Sequence, residues 1–311
     1  MIKGNFTAFS GFTLLGYSEL LNLQGLLFAL FFFIYAGIIL GNGLIIYVTG
    51  TDPALDNPMY FFLKSLSFLE ICYTSVTIPK ILVNLVVEDQ TISFIGCAVQ
   101  IYFMLLLGGT ECLLLAAMAY DRYVAICHPL HYKIIMKKPL CVGLITGSLT
   151  VNIPMYAGHI YMVFSLPFCA SHEINNFFCD VPPLLDLACA DTYKSKVFVF
   201  VDGILFLIIP FFLILMSYVK IISTILKMPS VDGRKKVFST CSSHLTVVSL
   251  FYGSASIVYL SPRSKETMEI NKLFSLFYII VVPMFNPIIY SLRNKEVKVS
   301  LGKLFSRKVV L

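Results

Sequence analysis

The sequence has 311 residues, of which 58% are hydrophobic and only 13% are charged, with a formal net charge of +6. A soluble domain is about 45–50% apolar and about 25% charged, so this chain has too few charges to cover a water-soluble globule of its size. The composition excludes an ordinary soluble protein, gives no reason to expect a nucleic-acid partner, and indicates that the solvent of the chain is lipid.

Residues 1–22 precede the first long apolar run and contain the tripeptide Asn5-Phe6-Thr7. This tripeptide is an acceptor for N-glycosylation, which takes place only on the lumenal side of a membrane. The apolar run from Leu23 to Val48 is too long for the core of a signal peptide, and no small-residue cleavage site follows it. We therefore predict an extracellular N-terminal segment that is glycosylated at Asn5, followed by an uncleaved first span.

A helix needs about 20 mostly apolar residues to cross a membrane, and seven stretches of this sequence satisfy that requirement. The predicted spans are 23–49, 58–81, 97–120, 140–163, 197–226, 237–261 and 271–292. Prolines inside spans are tolerated where neighbouring helices satisfy the freed carbonyl groups, and they predict kinks. They are Pro79, Pro210, Pro283 and Pro287. The predicted fold class is all-α membrane, with one domain, residues 1–311, forming a seven-transmembrane helix bundle.

The loops between the spans are asymmetric in charge. Lys and Arg are concentrated in the second and third inner loops and after residue 292, whereas the opposite side carries mostly acids. Cytoplasmic loops of membrane proteins are enriched in Lys and Arg, so this pattern places the N-terminus outside and the tail, 293–311, in the cytoplasm. The segment 164–196 then becomes a long second extracellular loop of a multi-pass plasma-membrane protein.

Apolar residues continue on one helical face beyond the seventh span, and lysines lie between them. These apolar residues are Val297, Leu301, Leu304 and Phe305. The pattern predicts a short amphipathic helix that lies along the inner membrane surface in contact with membrane lipid.

The nine cysteines fall into two groups. Five lie in or beside apolar segments and are typical of small buried thiols. Four flank or lie within the predicted loop 164–196: Cys97, Cys169, Cys179 and Cys189. An extracellular loop favours disulfides, and four cysteines allow three pairings. A metal site built from His159, Cys169 and His172 matches no standard ligand spacing, so we expect no such site.

Acidic residues inside spans are costly and usually functional. Glu70 lies in the second predicted span, Glu111 in the third and Asp202 in the fifth. Two facing carboxylates in a medium of low dielectric constant cannot both stay ionised without a cation. One hypothesis is that Glu70 and Glu111 share a proton or a sodium ion, with help from Asn42 and Asn286. The alternative is a structural pair of protonated, hydrogen-bonded glutamates.

Two motifs lie at the inner ends of spans. Asp121-Arg122-Tyr123 closes the third predicted span, where an acid beside an arginine can hold that arginine in a local ion pair. Asn286-Pro287-Ile288-Ile289-Tyr290 ends the seventh, where Pro287 interrupts one backbone hydrogen bond and Asn286 can satisfy the freed groups. Either motif alone is weak evidence, because short strings of this kind arise by chance.

Taken together, the motifs resemble those of the rhodopsin-like G-protein-coupled receptors, and further strings resemble the vertebrate olfactory receptor family. The strings are PMYFFL at 58–63, MAYDRYVAICHPLHY at 118–132, SY at 217–218, FSTCSSHL at 238–245 and PMFNPIIYSLRNKEV at 283–297. They follow the order and spacing of the family over nearly the whole chain. One departure is Glu70, where the family usually has Asp, so the geometry of any ion site at this position is open.

The resemblance implies roles for several residues. Arg122 would contact the G protein and be locked by Asp121 at rest, and the inner-face switch residues would be Tyr218, His244 and Tyr290. Tyr252 stands where other rhodopsin-like receptors have a tryptophan, and this chain has no Trp. The family would also pair Cys97 with Cys179 and Cys169 with Cys189. The partner it implies is the stimulatory olfactory G protein, which raises cyclic AMP.

A ligand pocket is expected among the outer parts of the third, fifth and sixth spans. The predicted lining is Ile101, Met104, Leu105, Gly108, Gly109, Asp202, Phe206, Tyr252, Ala255, Ser256 and Tyr259. On the third span these residues follow helical spacing, although close packing of helices would give the same pattern. A lining with few polar groups suits a small volatile held by shape and one or two hydrogen bonds, and Asp202 could pair with an amine.

The sequence therefore predicts an odorant receptor that transmits ligand occupancy by shifting the population of helix arrangements. It needs no cofactor apart from the hypothetical sodium ion. It is not expected to be an enzyme, since the spans contain no HExxH motif and no paired aspartates. The alternative function is an ion-coupled transporter or channel that uses the acids inside the spans.

Overall fold

The computed structural model describes residues 11–16, 23–169, 172–260 and 265–308. Asn5 lies outside the described residues. Within them, seven helices are long and apolar enough to cross a membrane, which confirms the predicted number of spans and the bundle. Their bounds are Gln24–Thr51, Pro58–Val86, Phe94–Cys127, Lys138–Phe164, Tyr193–Leu226, Val231–Leu260 and, in three consecutive helical segments, Lys265–Leu276, Phe277–Val281 and Val282–Arg293.

The third span is longer than the apolar stretch, 97–120, from which it was predicted: the helix runs from Phe94 to Cys127. The hydroxyl of Ser93 caps its first turn by accepting a hydrogen bond from the backbone N–H of Gly96 at 3.0 Å. The helix ends at Cys127, so the Asp121-Arg122-Tyr123 motif lies inside it, about one turn before its end. Backbone hydrogen bonding does not require apolar side chains, so hydropathy marks the part of a helix in the bilayer rather than the whole helix.

The fifth and seventh spans each contain a turn of π-helix. These turns are Gly203–Ile208, just before Pro210, and Phe277–Val281, just before Pro283. A proline donates no backbone hydrogen bond, so the turn that precedes it can widen without losing a bond that would otherwise form. The fifth span begins at Tyr193, inside the segment predicted as the extracellular loop, so that loop is shorter than expected.

A small three-stranded sheet, absent from the prediction, covers the end of the bundle that is predicted to be extracellular. Strand β1 (Gly11–Leu14) lies in the centre, antiparallel to β2 (Thr91–Ser93) and parallel to β3 (Glu173–Ile174). Phe12 and Leu14 are fully buried beneath it, in an apolar cluster separate from that of the bundle. Strands this short give no detectable alternation of polar and apolar residues, which explains why sequence reasoning missed them.

The predicted amphipathic helix is present as Lys295–Lys308. Hydrogen bonds attach it to the start of the second span and to the first inner loop: the hydroxyl of Tyr60 donates to the Glu296 carboxylate at 2.7 Å, and Ser300 donates to the Asp52 carboxylate at 2.6 Å. The bond from Ser300 and another from the backbone N–H of Ala54 hold the pKa of Asp52 below its usual value, so this carboxylate is ionised at neutral pH.

The outer surface of the bundle is apolar, as a lipid environment requires. Leu26, Phe33 and Leu40 of the first span are 68%, 72% and 67% exposed, whereas Ile38 and Ile45 of the same helix are buried against the bundle. Side chains of this size would face lipid rather than water in a stable protein. The first span therefore contributes one face to the core and the other to the bilayer.

Candidate ligand cavity and intracellular switch

A cavity lies between the second, third, fourth, fifth, sixth and seventh spans, beneath the loop that precedes the fifth span. The centre of a water molecule can occupy about 70 Å³ of this cavity. One bound water requires only roughly 10–15 Å³ on this measure, so the cavity has room for several waters or a small ligand. Eight of the eleven residues predicted to line a pocket face it: Met104, Leu105, Gly108, Gly109, Asp202, Phe206, Ala255 and Tyr259. The helical spacing of Met104, Leu105 and Gly108 on the third span therefore indicated the face of this helix that lines the cavity.

Three predicted residues do not line this cavity. Ile101 is one turn too far outward and packs in the extracellular cluster with Cys97. Tyr252 is buried elsewhere in the core, where its hydroxyl donates to the backbone carbonyl of Cys112 at 2.9 Å. Ser256 follows the cavity-lining Ala255, and successive residues on a helix point about 100° apart, so Ser256 faces away.

One end of the cavity is polar, and sequence reasoning missed two of its three residues. Tyr156 and His159 of the fourth span line it together with Asp202. The His159 ring stacks on Phe198, with centroids 4.1 Å apart, one helical turn before Asp202. Tyr156 and His159 follow Asn152 at helical spacing, and all three are buried, so this polar stripe was the signal that could have located them.

Several polar atoms at this end are not satisfied by the protein, although Tyr156 and Asp202 hydrogen-bond to each other. Neither ring nitrogen of His159 has a hydrogen-bond partner among the described residues, and the same holds for one carboxylate oxygen of Asp202. His159 is only 2% exposed. Buried polar groups are normally hydrogen-bonded, so these atoms are available to a ligand or to water.

The loop between the fourth and fifth spans, predicted to be extracellular, covers one end of the cavity. Cys179 is joined to Cys97 at the start of the third span, with Cα atoms 5.5 Å apart, and its backbone N–H donates to the Gln100 side chain at 2.9 Å. Val181, two residues later, lines the cavity. The second pair, Cys169 and Cys189, is joined within the loop, with Cα atoms 5.8 Å apart.

Two adjacent glycines on the third span allow a direct test of the cavity. A Cβ atom at Gly109 would lie 2.6 Å from the hydroxyl of Tyr156, whereas at Gly108 it would make an ordinary contact with Tyr73 at 3.9 Å. Gly109→Ala should therefore displace Tyr156, with a loss of about 1–3 kcal/mol in packing free energy at the cavity wall. Because Tyr156 lines the cavity, ligand potency should fall about tenfold or more. Gly108→Ala is the matched control and should keep potency near wild type in a cyclic AMP dose–response. Equal effects of the two substitutions would argue against the described position of Tyr156.

The two acids of the second and third spans meet in the bundle core. Glu70 and Glu111 are within hydrogen-bonding reach of each other, and the side-chain amide of Asn286 donates to Glu70. The amide of Asn42 donates to backbone carbonyls, including that of Pro283 at 3.3 Å. The four side chains that the sequence grouped are therefore all buried near the meeting point of the first, second, third and seventh spans.

Each of these four side chains leaves one buried oxygen without a hydrogen-bond partner among the described residues. The atoms are Glu70 Oε2, Glu111 Oε1, Asn42 Oδ1 and Asn286 Oδ1. Oxygen ligands of this kind suit a hard cation, and one proton between the two carboxyl groups would satisfy only part of the set. No group of three or more His, Cys, Asp or Glu residues in the described ranges forms a metal site, so a cation here would depend on the two amides.

The inner ends of the spans bring the predicted switch residues together. The hydroxyl of Tyr218 and Nδ1 of His244 are 2.8 Å apart across the fifth and sixth spans. Arg122 is 6% exposed and lies close enough to interact electrostatically with Tyr218, His244 and Tyr290. Its positive charge therefore acts on three of the residues expected to rearrange.

The structure revises the expected partner of Asp121. Its carboxylate accepts a hydrogen bond from the hydroxyl of Tyr132 in the second inner loop at 2.8 Å. No ion pair joins Asp121 to Arg122 in the part of the chain that the structure describes, because neighbouring side chains on a helix diverge. Tyr123 likewise turns to the loop, with its hydroxyl 3.0 Å from Nε2 of His128. Arg122 is therefore buried in the core, whereas the side chains of Asp121 and Tyr123 contact residues of the second inner loop.

Comparison with known proteins establishes the family. The sequence profile of the olfactory receptor family matches residues 31–308. Olfactory receptor 10AG1 of Homo sapiens is 49% identical over 296 residues, which cover 95% of this chain and 98% of the relative. Olfactory receptor 10A5 of Homo sapiens is 51% identical over 312 residues, covering 100% and 98%. Olfactory receptor 1G1 of Gorilla gorilla gorilla is 49% identical over 300 residues, covering 96% of each chain.

These matches span the whole bundle and favour a receptor over the transporter or channel considered above. They agree with the ordered motifs, the seven spans and the C-terminal helix. The chain belongs to the olfactory receptor family, a group of rhodopsin-like G-protein-coupled receptors.

Proposed function

We propose that this protein binds small, mostly apolar volatile molecules that carry one hydrogen-bonding group, and that it activates the stimulatory olfactory G protein, which raises cyclic AMP. The observation that carries the proposal is the buried cavity, which is apolar along the third span and has the polar groups of Tyr156, His159 and Asp202 at one end. A site with this lining holds a ligand by shape and orients it through few polar contacts.

The proposed route of the signal runs from the cavity to the inner face. Phe206 and Ala255 line the cavity on the fifth and sixth spans, and Tyr218 and His244 join the same two spans further inward. A ligand that packs better in the active arrangement would bias both helices toward it. Movement at Tyr218 and His244 would then release Arg122 for contact with the G protein.

The proposed orientation has the N-terminus, with a glycan at Asn5, outside the cell and the C-terminal helix against the inner leaflet. The excess of Lys and Arg in the loops on one side supports it. An antibody against a tag at the N-terminus should label intact cells, and one against a C-terminal tag should require permeabilisation.

The test of the proposed function is a cyclic AMP assay of cells that express the receptor, with a broad panel of volatiles. Alcohols, amines and other donors on small apolar frames should include agonists, because the unpartnered oxygen of Asp202 accepts hydrogen bonds. Cells that lack the receptor provide the baseline. Ligand-dependent current or uptake in cells without the G protein would instead support the transporter alternative.

Asp202→Asn tests the role of the acid in ligand selection. An ionised carboxylate that binds an amine contributes about 1.5–3 kcal/mol, so amine agonists should lose about tenfold or more in potency. Alcohol agonists should change little, because Asn can still accept their hydrogen bond. Glu173→Gln removes an exposed acid of strand β3 outside the cavity and serves as the control. An unchanged potency ranking in Asp202→Asn would contradict contact between Asp202 and the ligand.

A further inference from the structure

A second large concavity lies on the outer surface of the bundle, between the third, fourth and fifth spans and inward of the ligand cavity. About 460 Å³ of it is open to the centre of a water molecule, compared with about 70 Å³ in the ligand cavity. The proposed function makes no use of this groove, which we call the outer groove. Met216, the most exposed of its apolar lining side chains on the fifth span, is 56% accessible, so the groove faces the membrane.

Small residues at helical spacing create the outer groove. Ala116 and Ala117 line it on the third span, Ser148 on the fourth and Ser217 on the fifth. Both serine hydroxyls donate to backbone carbonyls of their own helices, at 2.7 Å and 2.8 Å, so their polarity is satisfied locally. A hydrocarbon chain could therefore lie along the groove without burying an unsatisfied polar group.

The length of the outer groove matches one leaflet. Its lining on the third span runs from Leu113 to Tyr123, which corresponds to about 15 Å of helix at 1.5 Å per residue. The hydrocarbon core of a bilayer is about 30 Å thick, so one leaflet contributes about half of that. Below the groove, Cys127 Sγ and Thr224 Oγ1 approach to 3.2 Å and join the third and fifth spans. The groove is thus open to the lipid and closed at its inner end.

A lysine lies at the inner end of the groove lining. Lys220 follows Ser217 by three residues, one turn further inward on the fifth span. In the described part of the chain no acid forms an ion pair with it. Lysines near the ends of spans extend their ammonium group to the level of the lipid headgroups. The charge of Lys220 therefore lies where a lipid entering the groove would carry its phosphate.

We propose that the outer groove is a binding site for an anionic glycerophospholipid of the inner leaflet, with one acyl chain along Ala116, Ala117 and Ser148 and the headgroup phosphate on the Lys220 ammonium group. Charge complementarity favours this occupant over a neutral sterol, whose single hydroxyl carries no charge to pair with the lysine. It also favours an anionic headgroup, whose net negative charge attracts Lys220, over a zwitterionic headgroup, whose net charge is zero.

The proposal can be tested by photolabelling the full-length receptor in vesicles of phosphatidylcholine that contain phosphatidylserine with a photoreactive group in one acyl chain. Mass spectrometry of the digest should locate the label near Tyr120 and Met216. Lys220→Gln should reduce this labelling about fivefold, the factor expected for one lysine near an anionic surface. Lys227→Gln is the matched control, an exposed lysine at the end of the same helix that does not line the groove, and should label as wild type.

A second variant and two competitors make the result decisive. Ala117→Phe should fill the groove and prevent labelling, and if this variant fails to fold, the comparison of Lys220→Gln with Lys227→Gln decides alone. Unlabelled phosphatidylserine should compete, whereas phosphatidylcholine and cholesterol should not. Equal labelling of Lys220→Gln and wild type, or competition by cholesterol, would overturn the proposal in favour of non-specific annular lipid or of a sterol site. The assay needs no odorant, so its outcome is independent of the proposed receptor function.

Discussion

Arg122→Glu is expected to abolish ligand-dependent cyclic AMP while the receptor still reaches the cell surface. Arg122 is buried and interacts electrostatically with Tyr218, His244 and Tyr290, and the proposed activation exposes its positive charge to the G protein. Reversing that charge removes the contact and adds repulsion. A loss of about 100-fold in agonist response lies within the range of allosteric couplings between sites. The measurement is a cyclic AMP dose–response normalised to surface labelling.

Two controls separate this effect from misfolding and from a general change in surface charge. Lys133→Glu reverses an exposed charge in the second inner loop and should reduce the response far less. Tyr132→Phe removes the hydrogen bond to Asp121 while leaving Arg122 intact, and should alter basal activity more than maximal response. Persistent signalling by Arg122→Glu at wild-type surface level would exclude the proposed role of this arginine.

Glu111→Gln is expected to remove the effect of sodium on the stability of the receptor. In the sodium hypothesis, the four unpartnered oxygens of Glu70, Glu111, Asn42 and Asn286 would supply the donors for the cation. A ligand present at 100 times its Kd stabilises a folded protein by about 2.7 kcal/mol. Sodium should therefore raise the Tm of the wild-type receptor, and the neutral Gln side chain should abolish that increase. The measurement is thermal unfolding in sodium chloride and in N-methylglucamine chloride at equal ionic strength.

The same experiment discriminates between the two hypotheses for the acid pair. If Glu70 and Glu111 share a proton instead, the wild-type Tm should respond to pH but not to the identity of the cation. An increase in Tm with sodium that persists in Glu111→Gln would reject the sodium site at this position. Asp191→Asn, in the extracellular loop, is the control for a general effect of removing one acid.

The third and fourth spans show how far sequence reasoning reaches within the site. Met104, Leu105 and Gly108 share one face by helical spacing, and the structure places that face on the cavity. His159 was considered only as a metal ligand, and its place on the buried face of the fourth span was missed. The fourth span is mostly exposed to lipid, so its few buried positions were not distinguishable by hydrophobicity alone.

Ile101 and Tyr252 show the opposite error. Both are buried and both lie on spans that line the cavity, but Ile101 belongs to the extracellular cluster and Tyr252 contacts the backbone of Cys112. A helical pattern gives the direction in which a side chain points, not the depth at which the facing helix leaves empty space. The position of a cavity along a helix therefore depends on the packing of its neighbours.

The sequence by itself determined the seven spans, the amphipathic C-terminal helix and the family, because hydropathy, periodicity and short motifs are local properties of the chain. Only the tertiary structure decided which side chains meet: Tyr156 and His159 with Asp202, Glu70 with Glu111 and Asn286, and Tyr132 with Asp121. These contacts join residues on different helices or a helix and a loop. They depend on the rotation, depth and π-helical turns of each span, which arise from packing the whole bundle at once.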